Sequence, residues 1–165
     1  MINVTKHYTA EKYRARSSIG YLVKRAHCLM MDCLDVAFAQ QEFTFMQWVV
    51  LMYIRDGIAV TATDICRDYR HDQGALTRVI DQLETRGLIE RQRSAEDRRV
   101  VQLSLTTQGR KTVETLIPVV VERLNTALDG FTVSEVSELT RLLGKLVNRV
   151  EQEASRRDLA ARSTT

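Results

Sequence analysis

Apolar residues recur at every third or fourth position along most of the chain, and proline occurs only once in 165 residues. This spacing places the apolar side chains on one face of a helix, and the scarcity of proline allows long helices to run without interruption. A mainly helical protein is therefore expected, with a bend near Pro118. The predicted helices cover about residues 19–38, 44–55, 63–69, 72–86, 107–128 and 136–150, and helical order is expected to be lost after Arg156.

One segment between the fourth and fifth predicted helices follows a different period. Val101, Leu103 and Leu105 alternate with polar residues, which is typical of a β-strand with one buried face. Residues 88–93 are the candidate partner strand, and the polar residues 94–99 connect the two strands. The predicted fold class is thus mainly α with a small β-hairpin.

The composition fits one globular domain with a substantial core, because 44% of the residues are hydrophobic. The formal net charge of +3 comes entirely from the first 17 residues, and the rest of the chain is neutral. Bulk charge alone is therefore a weak argument for a nucleic-acid partner. Arginine, however, makes up 19 of the 24 basic residues, and its forked guanidinium suits phosphates and base edges. A GC-rich genome would produce the same bias.

The sequence gives no indication of secretion, membrane insertion or catalysis. Its N-terminal segment lacks the apolar run of a signal peptide, and its longest apolar run has seven residues, far fewer than the roughly 20 needed to cross a bilayer. The three cysteines form no CxxC pair, which favours a reducing cytoplasm. No HExxH, GxSxG or glycine-rich phosphate loop occurs, so we expect neither an enzyme nor a cofactor. Cys66 and His71 lack the further ligands that a metal site needs, so no metal is expected either.

Two short helices joined by a tight turn at residues 70–71 form the arrangement with which helix–turn–helix proteins read DNA. The second helix begins with small or polar residues and an arginine long enough to reach a base edge or a phosphate. These residues are Gln73, Gly74, Ala75, Thr77 and Arg78. Glycine here costs about 1 kcal/mol relative to alanine, which makes sense if the backbone approaches DNA. The alternative is the ordinary solvated first turn of a helix.

The connection of the predicted hairpin ends in Asp97, Arg98 and Arg99. An arginine at the tip of a wing suits the narrow minor groove of DNA, where the negative potential is enhanced. We expect Asp97 to hold Arg99 in position through a charge-assisted hydrogen bond. The alternative is that these charges only keep an exposed turn soluble.

The long flanking helices carry wider apolar stripes than a small central unit could cover, which argues for a second subunit. The predicted organisation is a helical dimerisation region of residues 1–43 and 107–165 around a winged helix–turn–helix at residues 44–106. A monomeric bundle whose helices cover each other is one alternative. A helical dimer that does not bind DNA is another, although it would leave the polar start of the second short helix and the paired arginines without a role.

Three stretches of the sequence resemble the MarR family of bacterial transcriptional regulators. They are residues 43–51 (FTFMQWVVL), 72–91 (DQGALTRVIDQLETRGLIER) and 97–109 (DRRVVQLSLTTQG), in the order and spacing of that family's second helix, recognition helix and wing. The resemblance covers about residues 18–151. It implies a homodimeric repressor that binds a pseudo-palindromic operator in double-stranded DNA. It also implies groove contacts by the residues singled out at 73–78, and a minor-groove contact by Arg99 that Asp97 supports.

The resemblance further implies that a small-molecule or redox signal releases the DNA. The family's effector site lies between the dimerising helices and the DNA-binding region, where the candidates are Arg25, His27, Met31, Trp48 and Met52. An arginine beside aromatic and thioether groups would suit an aromatic or phenolic carboxylate, although core packing explains most of the same residues. Some relatives instead sense oxidants through a cysteine of the first helix, which makes Cys28 and Cys33 the redox candidates.

Overall fold

The computed structural model describes residues 6–70, 72–94 and 96–162, so His71 of the predicted turn and Ala95 of the hairpin connection lie outside the described residues. The prediction of a mainly helical fold with one hairpin is confirmed. A short 3-10 helix at Ala15–Ser17 precedes the first α-helix. The elements are α1 (Ile19–Ala39), α2 (Phe45–Arg55), α3 (Ala62–Tyr69), α4 (Gln73–Thr85), β1 (Ile89–Arg93), β2 (Val101–Leu105), α5 (Thr107–Ala127) and α6 (Val133–Arg162).

The chain forms two compact units, which comprise residues 1–124 and 125–165. The first unit contains the helices up to most of α5 together with the antiparallel β1–β2 hairpin. The second contains α6 and the end of α5. Within the described part of the chain, no helix is long and apolar enough to span a membrane.

The core of the first unit is built from the second half of α1, from α2, α3, α4 and α5, and from the hairpin. Its most completely buried large side chains include Phe38, Leu51, Ile65, Leu76, Ile80 and Leu83. The first half of α1 contributes nothing to this core, because its apolar residues Ile19, Leu22 and Val23 are exposed. Burial therefore divides α1 into an inner half and an outer half.

Side-chain caps fix where most of these helices begin. Thr44 and Gln47 form a reciprocal capping box at the start of α2. At the start of α3, Thr61 Oγ1 accepts a hydrogen bond from the Asp64 main-chain N–H and donates one to the Asp64 carboxylate. Asp72 Oδ1 accepts a hydrogen bond of 2.8 Å from the Ala75 N–H and so caps the start of α4.

The start of α5 lies directly against the residue that precedes β1. Thr106 Oγ1 accepts a hydrogen bond from the Gly109 N–H and donates one of 2.7 Å to the Gly87 carbonyl. A Cβ atom on Gly109 would lie 1.9 Å from the Leu88 carbonyl oxygen, a separation that no side chain can occupy. Only glycine at this position lets the helix and the hairpin base approach so closely.

Two sequence expectations concern the long helices. Helical order was expected to end after Arg156, but α6 continues to Arg162. Glu153 lies 3.8 Å from both Arg149 and Arg157, and such i,i+4 ion pairs support an exposed helix without an apolar period. Pro118 lies inside α5 as the sequence indicated, and the bend expected near it stays a prediction.

A capping box also begins α6, in the second unit. Glu135 accepts hydrogen bonds of 2.8 Å from the main-chain N–H and the hydroxyl of Thr132, and these bonds lower the pKa of the Glu135 carboxyl. Because the folded-state pKa is depressed, the contribution of this cap to stability is present above the unfolded-state pKa and is lost as the pH falls through the folded-state pKa.

The junction between the hairpin and α5 leads to the first testable prediction. Gly109→Ala is expected to lower the free energy of unfolding by at least about 2 kcal/mol, because the main chain of Leu88 must move away from the new methyl group. Gly144→Ala in α6 is the matched control, since nothing lies within 4 Å of its Cβ position, and it should raise stability by up to about 1 kcal/mol. Urea denaturation measures both changes, and equal stability of the two variants would contradict the packing described here.

Candidate nucleic-acid interface

The α4 helix presents one buried face and one exposed polar face. Leu76, Ile80 and Leu83 are buried and attach the helix to the core. On the opposite side, Gln73, Gly74, Thr77 and Arg78 are exposed, and Ala75 is half-buried. The side chain of Arg78 forms no ion pair with any residue that the structure describes. The residues that the sequence singled out at the start of α4 therefore share an accessible surface.

The structure describes the residues on either side of position 71 in the turn between α3 and α4. Arg70 follows α3 in the left-handed conformation, with φ +52°, and its N–H donates to the Cys66 carbonyl. Asp72 is the N-cap residue of α4. A Cβ atom on Gly74 would lie 3.3 Å from the Asp72 carboxylate oxygen, which is tighter than usual. The close fit beside the capping carboxylate is a second reason for glycine here, one that sequence reasoning missed.

The connection of the hairpin is held by its own main-chain and side-chain hydrogen bonds. Ser94, which is buried, accepts hydrogen bonds through its hydroxyl from the N–H groups of Glu96 and Asp97. The Ser94 N–H donates to the Val100 carbonyl, and the Val100 N–H donates to the Asp97 carbonyl. These bonds close the turn and leave the side chains of Asp97, Arg98 and Arg99 exposed.

Asp97 supports Arg99 differently from the way the sequence suggested. The Asp97 carboxylate accepts a hydrogen bond of 2.9 Å from the main-chain N–H of Arg99 and not from its guanidinium. Because Asp97 precedes Arg99 by two residues, its side chain reaches the amide within the same turn. The guanidinium of Arg99 remains exposed and is not paired with any side chain among the described residues.

The base of the hairpin is tied to the segment before α3. Leu103 in β2 donates a main-chain hydrogen bond of 2.7 Å to the carbonyl of Val60. In the hairpin register Leu103 lies opposite Arg91, and Leu105 lies opposite Ile89. The buried residues Ile89, Leu103 and Leu105 therefore hold the base of the hairpin against the core. Val101, nearer the tip, is exposed.

Three polar contacts to α4 were not anticipated from the sequence. The guanidinium of Arg91 in β1 pairs with Asp81 and Glu84 of α4. Gln47 of α2, which is buried, donates a side-chain hydrogen bond of 3.1 Å to Gln82. The partners are separated by 7 to 35 residues in sequence, and no local motif marks such pairs.

The third contact joins the end of α4 to the loop between α1 and α2. Arg86 donates a hydrogen bond of 2.9 Å to the Glu42 carbonyl, and its guanidinium carbon lies 4.0 Å from the centre of the Phe43 ring. Glu42 adopts the left-handed conformation, with φ +57°. This cation–π contact places the C-terminal end of α4 beside the end of α1.

The effector candidates lie in two different environments. Trp48 is buried in the core, where its ring centre lies 5.7 Å from that of Phe38, and Met31 and Met52 pack partly buried against the same core. Arg25 and His27 are exposed on the outer half of α1. The structure thus groups the apolar candidates but records no hydrogen bond or ion pair between either polar candidate and another described residue.

The redox candidates are both accessible to some degree, since Cys28 is half-buried and Cys33 is exposed. Neither forms a disulfide. Among the described residues, no group of three or more His, Cys, Asp or Glu side chains is arranged to hold a metal ion.

Comparison with known proteins assigns this fold to a family. Residues 43–101 match the model of the MarR family. A cysteine-to-serine mutant of MarR from E. coli, in complex with operator DNA, is 30% identical over 78% of this chain and 92% of that chain, with a TM-score of 0.67. The chain belongs to the MarR family. Its winged helix–turn–helix is the fold of DNA-binding transcription regulators.

Two further MarR-family structures match over most of their length. Wild-type MarR from E. coli in its apo form is 28% identical over 78% of this chain and 96% of that chain, with a TM-score of 0.70. BpsR from Bordetella bronchiseptica, whose DNA binding is regulated by 6-hydroxynicotinic acid, is 27% identical over 82% of this chain and 96% of that chain, with a TM-score of 0.71. The family resemblance therefore extends well beyond the 59 residues that the family model matches.

Proposed function

We propose that this MarR-family protein is a homodimeric, sequence-specific repressor that binds a pseudo-palindromic operator in the cytoplasm and has no catalytic activity. The observation that carries the proposal is that two exposed surfaces suited to reading DNA lie within one compact unit. The first is the polar start of α4, and the second is the arginine-bearing connection between β1 and β2. We call the hairpin with its connection, residues 89–105, the wing. The MarR–operator complex of a relative that is 30% identical supports the same use of this fold.

In this proposal the start of α4 enters the major groove. Small residues at Gly74 and Ala75 permit close approach of the backbone, and the amide of Gln73 and the hydroxyl of Thr77 offer donors and acceptors to base edges. Arg78 reaches further, to a guanine or a phosphate. The buried face of α4 keeps the helix oriented, so that these side chains need little reorganisation on binding.

The wing reaches the adjacent minor groove, where Arg99 is the principal contact and Arg98 adds a second cation. The electrostatic potential of a narrow minor groove favours an inserted guanidinium. Asp97 contributes by holding the main-chain amide of Arg99 rather than by contacting DNA. Only a few cations contact DNA in this proposal. Arg78 lies at the start of α4, which enters the major groove, and Arg98 and Arg99 lie in the wing, which enters the minor groove.

The dimer is proposed from the apolar surfaces that the units leave exposed. In the first unit the outer half of α1 exposes Ile19, Leu22 and Val23. In the second unit α6 exposes an apolar stripe, whose members are Leu139, Leu142, Leu143, Leu146, Val147 and Val150. Monomeric proteins rarely expose surfaces of this kind. We therefore assign residues 1–43 and 107–165 to dimerisation and residues 44–106 to DNA binding. A two-fold axis would place two α4 helices about 34 Å apart, in successive major grooves.

The wing assignment predicts that Arg99→Ala weakens operator binding by about tenfold or more, with the protein still folded. Arg141→Ala is the matched control, because it removes the same charge from an exposed position on α6. Operators are first selected from random DNA, and affinities are then measured by mobility shift at several salt concentrations. Each phosphate contact should add about 0.9 to the slope of log K against log salt. Unchanged affinity in Arg99→Ala would refute the wing assignment, and a flat salt dependence of the unmodified protein would refute DNA as the partner.

The dimer assignment predicts that Leu146→Glu produces a monomer that no longer binds the palindrome. A carboxylate in the middle of the apolar stripe would have to be buried without a partner in the interface. Val133→Glu is the control, because Val133 is 85% exposed at the first residue of α6. Sedimentation velocity distinguishes the two forms, and a Leu146→Glu protein that remains dimeric would show that the stripe is not the interface.

We propose a small aromatic or phenolic acid as the signal that releases the operator, supported by the regulation of BpsR by 6-hydroxynicotinic acid. The proposed site comprises the candidates on α1 and α2, with Arg25 or His27 facing the carboxylate and Met31, Trp48 and Met52 facing the ring. The alternative within the same fold is oxidation of Cys28 or Cys33. Reduced and oxidised forms of E. coli MarR, 28% and 27% identical to this chain, support that alternative.

Trp48 is the single tryptophan of the chain and provides a direct probe of this site. A panel of hydroxybenzoic and hydroxynicotinic acids is expected to change its fluorescence and to release the operator over the same concentration range. Arg25→Ala and His27→Ala identify which of the two side chains faces the carboxylate, because that variant should require more ligand for both effects. Release by peroxide but not by any acid, abolished in Cys28→Ser or Cys33→Ser, would instead support the redox alternative.

A further inference from the structure

The side chain of Arg91 joins the wing to α4, the helix whose first residues form the other proposed DNA-reading surface. Arg91 lies in β1, and its guanidinium contacts two carboxylates of α4 through two different nitrogens. Nη2 is 2.5 Å from Asp81 Oδ1, and Nη1 contacts Glu84 Oε2. The two acids are three residues apart and therefore lie on the same side of α4. We call this contact the Arg91 clamp.

The clamp lies where the hairpin leaves the core. Arg91 is on the same face of β1 as Ile89, which is buried, because side chains two residues apart on a strand point to the same side. Its register partner Leu103 is also buried. One step further toward the tip, the pair Arg93 and Val101 is exposed. The apolar contacts that hold the hairpin therefore end at Arg91.

We propose that Arg91 is a positioning residue, which sets the angle between the wing and α4 and thereby the register between the two groove contacts. This inference rests on the proposed DNA-binding function. Arg99 lies in the connection before β2, and four residues of extended chain would place it at most about 13 Å from Leu103, the register partner of Arg91. At that distance, a rotation of the hairpin by about 10° at the clamp would displace Arg99 by up to about 2 Å, which is enough to break a hydrogen bond.

The fork geometry explains why arginine occupies this position. Its planar guanidinium presents nitrogens in fixed directions, so that binding two separate carboxylates restricts the orientation of the strand as well as its distance from the helix. A lysine at this position would keep the charge but would present one ammonium group to two acids. The charge and the geometry of Arg91 can therefore be tested separately.

The decisive experiment measures Arg91→Gln in two backgrounds, the unmodified protein and Arg99→Ala. In the first background we expect about a five- to tenfold loss of operator affinity, because a wing that the clamp no longer restrains must be ordered on binding. In the Arg99→Ala background we expect less than about a twofold loss, because without Arg99 the operator affinity no longer depends on the angle of the wing. An equal loss in both backgrounds would overturn the proposal, since Arg91 would then act independently of the Arg99 contact.

Two further variants separate positioning from charge. Arg91→Lys should still lose affinity, because the charge is kept but the fork is lost, and full affinity would overturn the proposal. The triple variant Arg91→Gln, Asp81→Asn, Glu84→Gln removes the carboxylates that Arg91→Gln would leave unpaired. It is expected to remain weakened, whereas recovery of full affinity would assign the loss to repulsion between those carboxylates and DNA. Thermal unfolding of each variant verifies that the fold is retained.

The failure of this inference is distinguishable from the failure of the proposed function. If the unmodified protein does not prefer a palindrome over random DNA, the proposed function is wrong, and the clamp is then tested without DNA. Amide hydrogen exchange at residues 97–101 should be faster in Arg91→Gln than in the unmodified protein, while exchange in α2 remains unchanged. Identical exchange in the wing of the two proteins would overturn the proposal that the clamp restrains it.

Discussion

Burial of the apolar face of α4 is the constraint on which the rest of the candidate nucleic-acid interface depends. Leu76, Ile80 and Leu83 can enter the core in only one rotation of the helix, and that rotation turns Gln73 and Arg78 outward. A helix is accurately oriented by such a stripe because well-packed side chains tolerate little displacement. The polar surface that we propose for DNA is thus a consequence of hydrophobic packing on the opposite side of the same helix.

Polar contacts also connect α4 to α2 and to the loop between α1 and α2, whose positions relative to α4 would be less precisely fixed by apolar packing alone. Gln82 contacts α2, and Arg86 contacts the loop between α1 and α2. At the start of α2, the Phe45 N–H donates a hydrogen bond of 3.0 Å to the Asp35 carboxylate of α1. These contacts form a continuous route from the inner end of α1 to α4. If α1 takes part in dimerisation, as proposed, these are the contacts through which the spacing of the subunits would act on α4.

The elements that sequence reasoning located are those with local signals. The helix periods and the alternation through β2 depend on residues within a few positions of each other, and apart from the last helix each element was predicted close to its actual bounds. The extension of α6 to Arg162 was missed because weak i,i+4 ion pairs do not produce an apolar period. The contact between Gly109 and Leu88 was missed because a close approach between distant segments leaves no periodic signal.

Arginine illustrates the same limit within the candidate site. A count of basic residues treats all arginines alike, but the arginines of the candidate interface fall into two groups. Arg86 and Arg91 are engaged by a carbonyl, an aromatic ring and two carboxylates, whereas Arg78 and Arg99 are exposed and form no ion pair with any described residue. In the proposed interface, the first group fixes the positions from which the second group contacts DNA. Replacing an arginine of either group is therefore expected to weaken DNA binding, but only the loss of one that contacts phosphate directly should reduce its salt dependence.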